Sequence, residues 1–253
     1  MVGHTVSQSA PVFPSRWKIA SSISTDDDDG DDDGGADGRY ATYGFSRSES
    51  TIYIDDLLMA IAQARAVTDA LTRYHEDHPS APPLIDIIRS RNAVQHRLLS
   101  LPAFDGLLGP ADALYEACRL SALIYSEMVL FPFPAVAGVK PKLATRLRRA
   151  LDCCTLHQCW DHHPRVMLWI ATCGGIAATG TGDRAWYVRK NKLCLDQWPV
   201  KDCSHYLACM RRYLWWDYVC EEPARRLWEE ARTQTSSVPY RQKMRSEEKY
   251  ERP

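Results

Sequence analysis

No two cysteines in this chain are separated by two residues, although nine are present, so the paired knuckles of common structural zinc modules are missing. The N-terminal stretch MVGHTVSQSAPVFPSRWK has no charged head followed by an apolar run. That predicts no secretory leader, and hence a reducing compartment in which the thiols are buried apolar groups, metal ligands or reactive nucleophiles. Neither sign of charge dominates. Lys plus Arg total 31 against 32 Asp plus Glu, so binding to nucleic acid or to a membrane surface would need a local patch. Runs that alternate apolar and polar residues between turns are also missing, which argues against a sheet. The longest apolar stretch, Leu120 to Val139, carries Glu127, Pro132 and Pro134. It reads as a buried helix ending at the prolines and not as a bilayer span.

The remaining content is helical. With 253 residues, 45% of them hydrophobic, the chain is long enough for one sizeable core. Residues 1–48 include DDDDGDDDGGADG, which cannot bury enough apolar area to offset its ordering entropy, and read as a disordered acidic tail. Between Ile54 and Tyr74, Leu57, Ile61, Ala64, Val67 and Leu71 recur at three and four, with Asp55 and Asp56 expected in the first turn. LIDIIRSRNAVQHRLLSL forms the next helix, and ADALYEACRLSALIYSEMVLF a central one, apolar around most of its circumference. KPKLATRLRRALDCC predicts a surface helix with Leu143, Leu147 and Leu151 turned inward. Val200, Cys203, Leu207, Met210 and Leu214 predict a core-facing stripe between Trp198 and Tyr218, and PARRLWEEA a short last helix starting at Pro223. The expected class is all-α, a bundle of about seven to eight helices over residues 49–231, with a polar C-terminal tail over 232–253.

The segment MLWIATCGGIAATGTGDRAWYV has glycines at 174, 175, 180 and 182. They fit neither the dinucleotide pattern nor the P-loop, since Thr181 stands where the P-loop lysine belongs. As a helix the segment makes sense: Gly174 and Gly175 are notches for the close approach of a neighbouring helix backbone, Gly180 and Gly182 end the helix, and Asp183 caps the next.

Two clusters have chemical potential. Cys153, Cys154, His157, Cys159, His162 and His163 place six possible zinc ligands within eleven positions, but a tetrahedral site seldom closes within one short segment. Buried thiols and surface histidines are the plainer reading, and no metal or cofactor is expected. Lys140, Lys142, Arg146, Arg148 and Arg149 form a basic patch that could bind phosphate or serve as an import signal, or be only the solvated face of a helix. No nucleophile with a base and no carboxylate pair in a suitable setting is found, so catalysis is not expected.

Three stretches together resemble the fungal-specific transcription factor domain, the helical regulatory region that follows the zinc-cluster DNA-binding domain in fungal regulators. They are YEACRLSALIYSEMVLFP, HPRVMLWIATCGGIAATGTGDRAWYV and LWWDYVCEEPARRLWEEA, in that order along the chain. The resemblance covers roughly residues 51–231 and implies an all-helical fold, a nuclear setting and a role in transcriptional control. It brings no catalytic residues. Its signature positions, Arg119, Trp169, Gly174, Gly175, Asp183, Arg184, Trp186, Trp216, Asp217 and Trp228, read as structural. The six-cysteine zinc cluster is missing, so this chain is not expected to bind DNA sequence-specifically by that route. Protein partners are expected instead, a related full-length regulator or a second copy of the chain, and no membrane. The other reading is a small-molecule-binding or enzymatic helical domain with a pocket between the Trp-rich helices, edged by the Cys/His segment.

Overall fold

The computed structural model describes residues 49–104, 109–132, 138–156, 164–198 and 200–234. Among these the chain is all-α, with eight α-helices and no strand. They are α1 (Glu49–His75), α2 (Leu84–Ser100), α3 (Pro110–Tyr125), α4 (Val139–Leu156), α5 (Pro164–Ala177), α6 (Arg184–Gln197), α7 (Cys203–Met210) and α8 (Asp217–Thr233). Both tails expected from composition lie largely outside the described residues, and α8 runs two residues past the expected domain end at 231. Among the described residues no helix is long and apolar enough to cross a membrane.

Two helices form the centre. In α3 and its extension every residue from 113 to 130 is buried, as an all-round apolar sequence requires, and α3 packs against α1, α2, α4 and α5. The most apolar helix, α5, is buried from Val166 to Gly175 and touches α3, α4, α6, α7 and α8. Around this pair the amphipathic helices turn in their stripes: Leu57, Ile61, Ala64 and Val67 from α1, and Ala144, Leu147 and Leu151 from α4.

Several expected boundaries are corrected. α1 starts at Glu49, so Asp55 and Asp56 fall past its first turn. The central helix does not run unbroken to Phe131. It widens into a π turn at Ser126–Leu130, where the Phe131 amide donates to the Ser126 carbonyl. The stripe from Val200 to Leu214 is not one helix. α7 has only eight residues, started by Asp202, whose carboxylate accepts the His205 amide at 2.8 Å, and Val200 and Leu214 are buried from irregular segments on either side. α8 begins at Asp217 and carries Pro223 in its interior.

Candidate functional site

The signature residues gather at helix junctions. In α3, Arg119 forms a bidentate pair with Glu116, through Nε to Oε2 at 2.8 Å and Nη2 to Oε1 at 2.7 Å. Both are almost fully buried. Glu116 also accepts from Arg146 of α4 at 3.3 Å and from the Phe104 amide at 3.4 Å, so a charge inside the bundle has its oxygens covered. Sequence reading singled out Arg119 and missed Glu116, although the spacing of three residues on one helix was a usable signal.

The two glycines of α5 are notches, but side chains fill them and not the expected neighbouring backbone. A Cβ at Gly174 would lie 2.3 Å from Cε1 of Tyr187, and one at Gly175 would lie 2.6 Å from Cδ2 of Leu227. Tyr187 thus passes over α5, and its hydroxyl donates to the Ala144 carbonyl of α4 at 2.7 Å. Burial holds its phenol well above the ordinary range. The Gly175 carbonyl accepts from Nη1 of Arg184, whose Nε and Nη2 grip Glu230 at 2.9 and 2.7 Å. One guanidinium therefore ties α5, α6 and α8. Gly180 takes a left-handed φ of 78° in the turn after α5, the conformation expected of a helix stop.

Asp183 corrects the capping expectation. It occupies the position before α6, but its side chain makes no cap bond. It reaches across to α4 instead, accepting from Thr145 Oγ1 at 2.6 Å and Arg148 Nη1 at 2.7 Å. These two donors hold its carboxyl below the usual range. Beside it Trp186 is half-buried, with the Arg148 and Lys190 cations 5.5 and 5.7 Å from its ring.

The other tryptophans are joints of the same kind. Trp169 is fully buried, stacked on Tyr213 at 5.4 Å, and its indole donates to the Leu214 carbonyl at 3.1 Å. Trp216 donates to Thr72 Oγ1 of α1 at 3.0 Å, and Trp228 lies against Tyr206 at 5.2 Å. Asp217 gathers the Trp215 indole and Arg211, each at 3.0 Å. A buried polar cluster that sequence reading missed sits among them. Thr172 contacts Tyr206 Oη at 2.8 Å and Asn191 Oδ1 at 3.1 Å, joining α5, α7 and α6. No period in the sequence marks such a cluster, because each member lies on a different helix.

The two chemical clusters fare differently. Cys153 is half-buried near the end of α4 and Cys154 lies in the same helix, whereas His157, Cys159, His162 and His163 lie outside the described residues. Among the described residues no group of three His, Cys, Asp or Glu side chains is placed to hold a metal ion. Cys118, Cys173, Cys194 and Cys220 are buried and free, and burial pushes their thiols up, to about 12 for Cys118, Cys194 and Cys220. That is the reverse of an activated nucleophile. In the basic patch Arg146 and Arg148 serve internal carboxylates, Glu116 and Asp183, while Lys142 and Arg149 are exposed and Lys140 is half-buried.

At the π turn the Ser126 hydroxyl donates to Gln95 Oε1, and Gln95 Nε2 donates to Glu127 Oε1 at 3.4 Å. Glu127 is only 5% exposed, and its Oε2 has no hydrogen-bond partner among the described residues. Desolvation raises its pKa, with Gln95 and Lys140 opposing. A groove of about 310 Å³ runs between α1 and α2, lined by Gln63, Ala66, Ala70, Asp86, Ser90 and Ala93 among others. None of its lining residues belongs to α4 or to the tryptophan-bearing helices. Compared with known proteins, the chain matches no family model, no curated protein and no solved structure.

Proposed function

We propose that this chain is a transcription-regulatory, protein-interaction module similar to the regulatory domain of fungal zinc-cluster regulators, and its cysteines carry no zinc-cluster pattern. The reading includes a nuclear setting, a protein partner and no catalysis. The observation that carries it is the use made of the signature residues. Arg119, Trp169, Gly174, Gly175, Arg184 and Trp216 each join helices or fix a buried polar group, which suits a family whose signature is architectural. The buried thiols, all shifted away from reactivity, support a non-catalytic role.

The experiment is affinity purification of the tagged full-length protein from its own cells, with identification of what co-purifies, imaging of its location, and a duplex-DNA titration on the same material. Co-purification of a zinc-cluster regulator, nuclear signal and no duplex affinity at physiological salt is the expected result. A chain excluded from nuclei, purified alone and carrying stoichiometric metal or a small molecule, would sink the proposal.

A further inference from the structure

Charge is segregated along this chain. Net charge is −1 overall, and Asp26 to Asp37 contributes eight aspartates, so the chain outside that run carries −1 + 8 = +7. Part of the positive remainder is concentrated on α4, where Lys140, Lys142, Arg146, Arg148 and Arg149 face a single acid, Asp152. With Ala144, Leu147, Ala150 and Leu151 turned into the core, Lys142, Arg146 and Arg149 fall at i, i+4 and i+7 on one outward stripe. The acids flanking that stripe are already engaged, Glu116 with Arg119 and Arg146 and Asp183 with Thr145 and Arg148. Lys142 and Arg149 stand exposed between them.

We propose that the aspartate run Asp26–Asp37 docks in cis on the Lys142–Arg149 stripe of α4, occupying an anion site that an external polyanion would otherwise use. Lys142 and Arg149 are two helical turns apart, roughly 10 Å, which three to four extended residues span. Complementarity of this kind is electrostatic and tolerant of sequence, as a run of repeated aspartates requires. Eleven residues, Gly38 to Ser48, separate the run from the start of α1, and a chain of that length reaches at most about 40 Å. Covalent connection makes the encounter intramolecular, which favours a contact too weak to form between separate molecules. Docking of the run does not depend on the transcriptional reading.

The test is zero-length carbodiimide coupling of the full chain at low concentration, with linked peptides mapped in the monomer fraction. Coupling of Asp26–Asp37 to Lys142 is expected to exceed coupling to Lys190, Lys192 and Lys201. It should collapse in about 0.5 M salt, where the screening length shrinks to a few ångström. R149Q, at an exposed position where substitution leaves the fold intact, should lower the Lys142 yield about threefold while leaving the amine in place. A full-length variant with Asp26–Asp33 changed to asparagine should elute from heparin at higher salt than wild type, and K142E/R149E should cancel that gain. Coupling spread evenly over the lysines, unchanged by salt or by R149Q, overturns the proposal. So does Lys142 coupling found only in covalent dimers, which would place the run on a second copy.

Discussion

A Cβ atom at Gly174 would stand 2.3 Å from Cε1 of Tyr187, a ring whose hydroxyl is already fastened to the Ala144 carbonyl 2.7 Å away. The adjacent notch at Gly175 meets only the far end of Leu227, which has no polar anchor. Alanine in a helix gains about 1 kcal/mol over glycine, so the two positions should separate. We expect G174A to lose roughly 2–4 kcal/mol, because overpacking is compounded by a lost buried bond. G175A should stay within about 1 kcal/mol of wild type, since a leucine terminus can rotate. Urea unfolding followed by tryptophan fluorescence measures both, and equal losses would contradict the anchoring argument.

The buried pair Glu116 and Arg119 leads to a second expectation. R119M strands a carboxylate inside the bundle with only Arg146 and the Phe104 amide to answer it, a change that costs about 3–5 kcal/mol where buried pairs are broken. Replacing both partners, as E116L/R119M, should restore at least half of that loss, because the desolvation penalty disappears with the charge. A double-mutant cycle decides it. Additive losses would mean that the pair is not coupled.

Two carboxyls should give opposite pH dependences. Asp183 has its pKa depressed, so the stability it adds is present above the unfolded value near 3.8 and is lost as pH falls through its folded value. D183N should therefore be less stable than wild type near neutrality, the gap closing in acid. Glu127 has its pKa raised by burial, so its contribution declines as pH rises past the unfolded value near 4.5. E127Q should match wild type below about pH 4 and be the more stable protein at pH 7. Melting curves from pH 3 to 8 would expose either sign as wrong.

Thiol accessibility gives a fourth measurement. Cys118, Cys173, Cys194 and Cys220 are buried and shifted upward, so in the native protein at pH 8 they should alkylate at least about 100-fold more slowly than in urea. Fast labelling of any of the four, located by peptide mapping, would mean that α3, α5, α6 or α8 opens far more readily than its packing implies.

What the sequence made legible follows from what periodicity encodes. α1 and α4 were readable because a stripe of apolar residues at three and four positions marks the face that must be buried, and α3 because a sequence apolar around most of its circumference belongs at the centre. The same signal misled between Trp198 and Tyr218, since Val200 and Leu214 are buried without being helical. Pro223 also misled. It reads as a first-turn residue, yet α8 begins six positions earlier, and ion pairs from Glu221 to Arg225 and Glu222 to Arg226 straddle it. The contacts that fix the arrangement were the least legible. Arg184 and Glu230 are 46 positions apart, Trp216 and Thr72 are 144 apart, and no local pattern pairs such distant residues. The carboxylate role of Asp183 was missed for the same reason, because a capping residue and a cross-helix acceptor look identical in one dimension.

The last helix among the described residues, α8, completes α5 at the centre. Leu227 fills the notch at Gly175, and Glu230 clasps the arginine that covers the Gly175 carbonyl. During synthesis α5 therefore leaves the ribosome with one flank uncovered, and it stays so until some fifty further residues have followed. A nascent chain halted between α7 and α8 presents that apolar flank to whatever surrounds it. Exposed apolar surface of that kind makes incomplete chains prone to aggregate, and α8 removes it here.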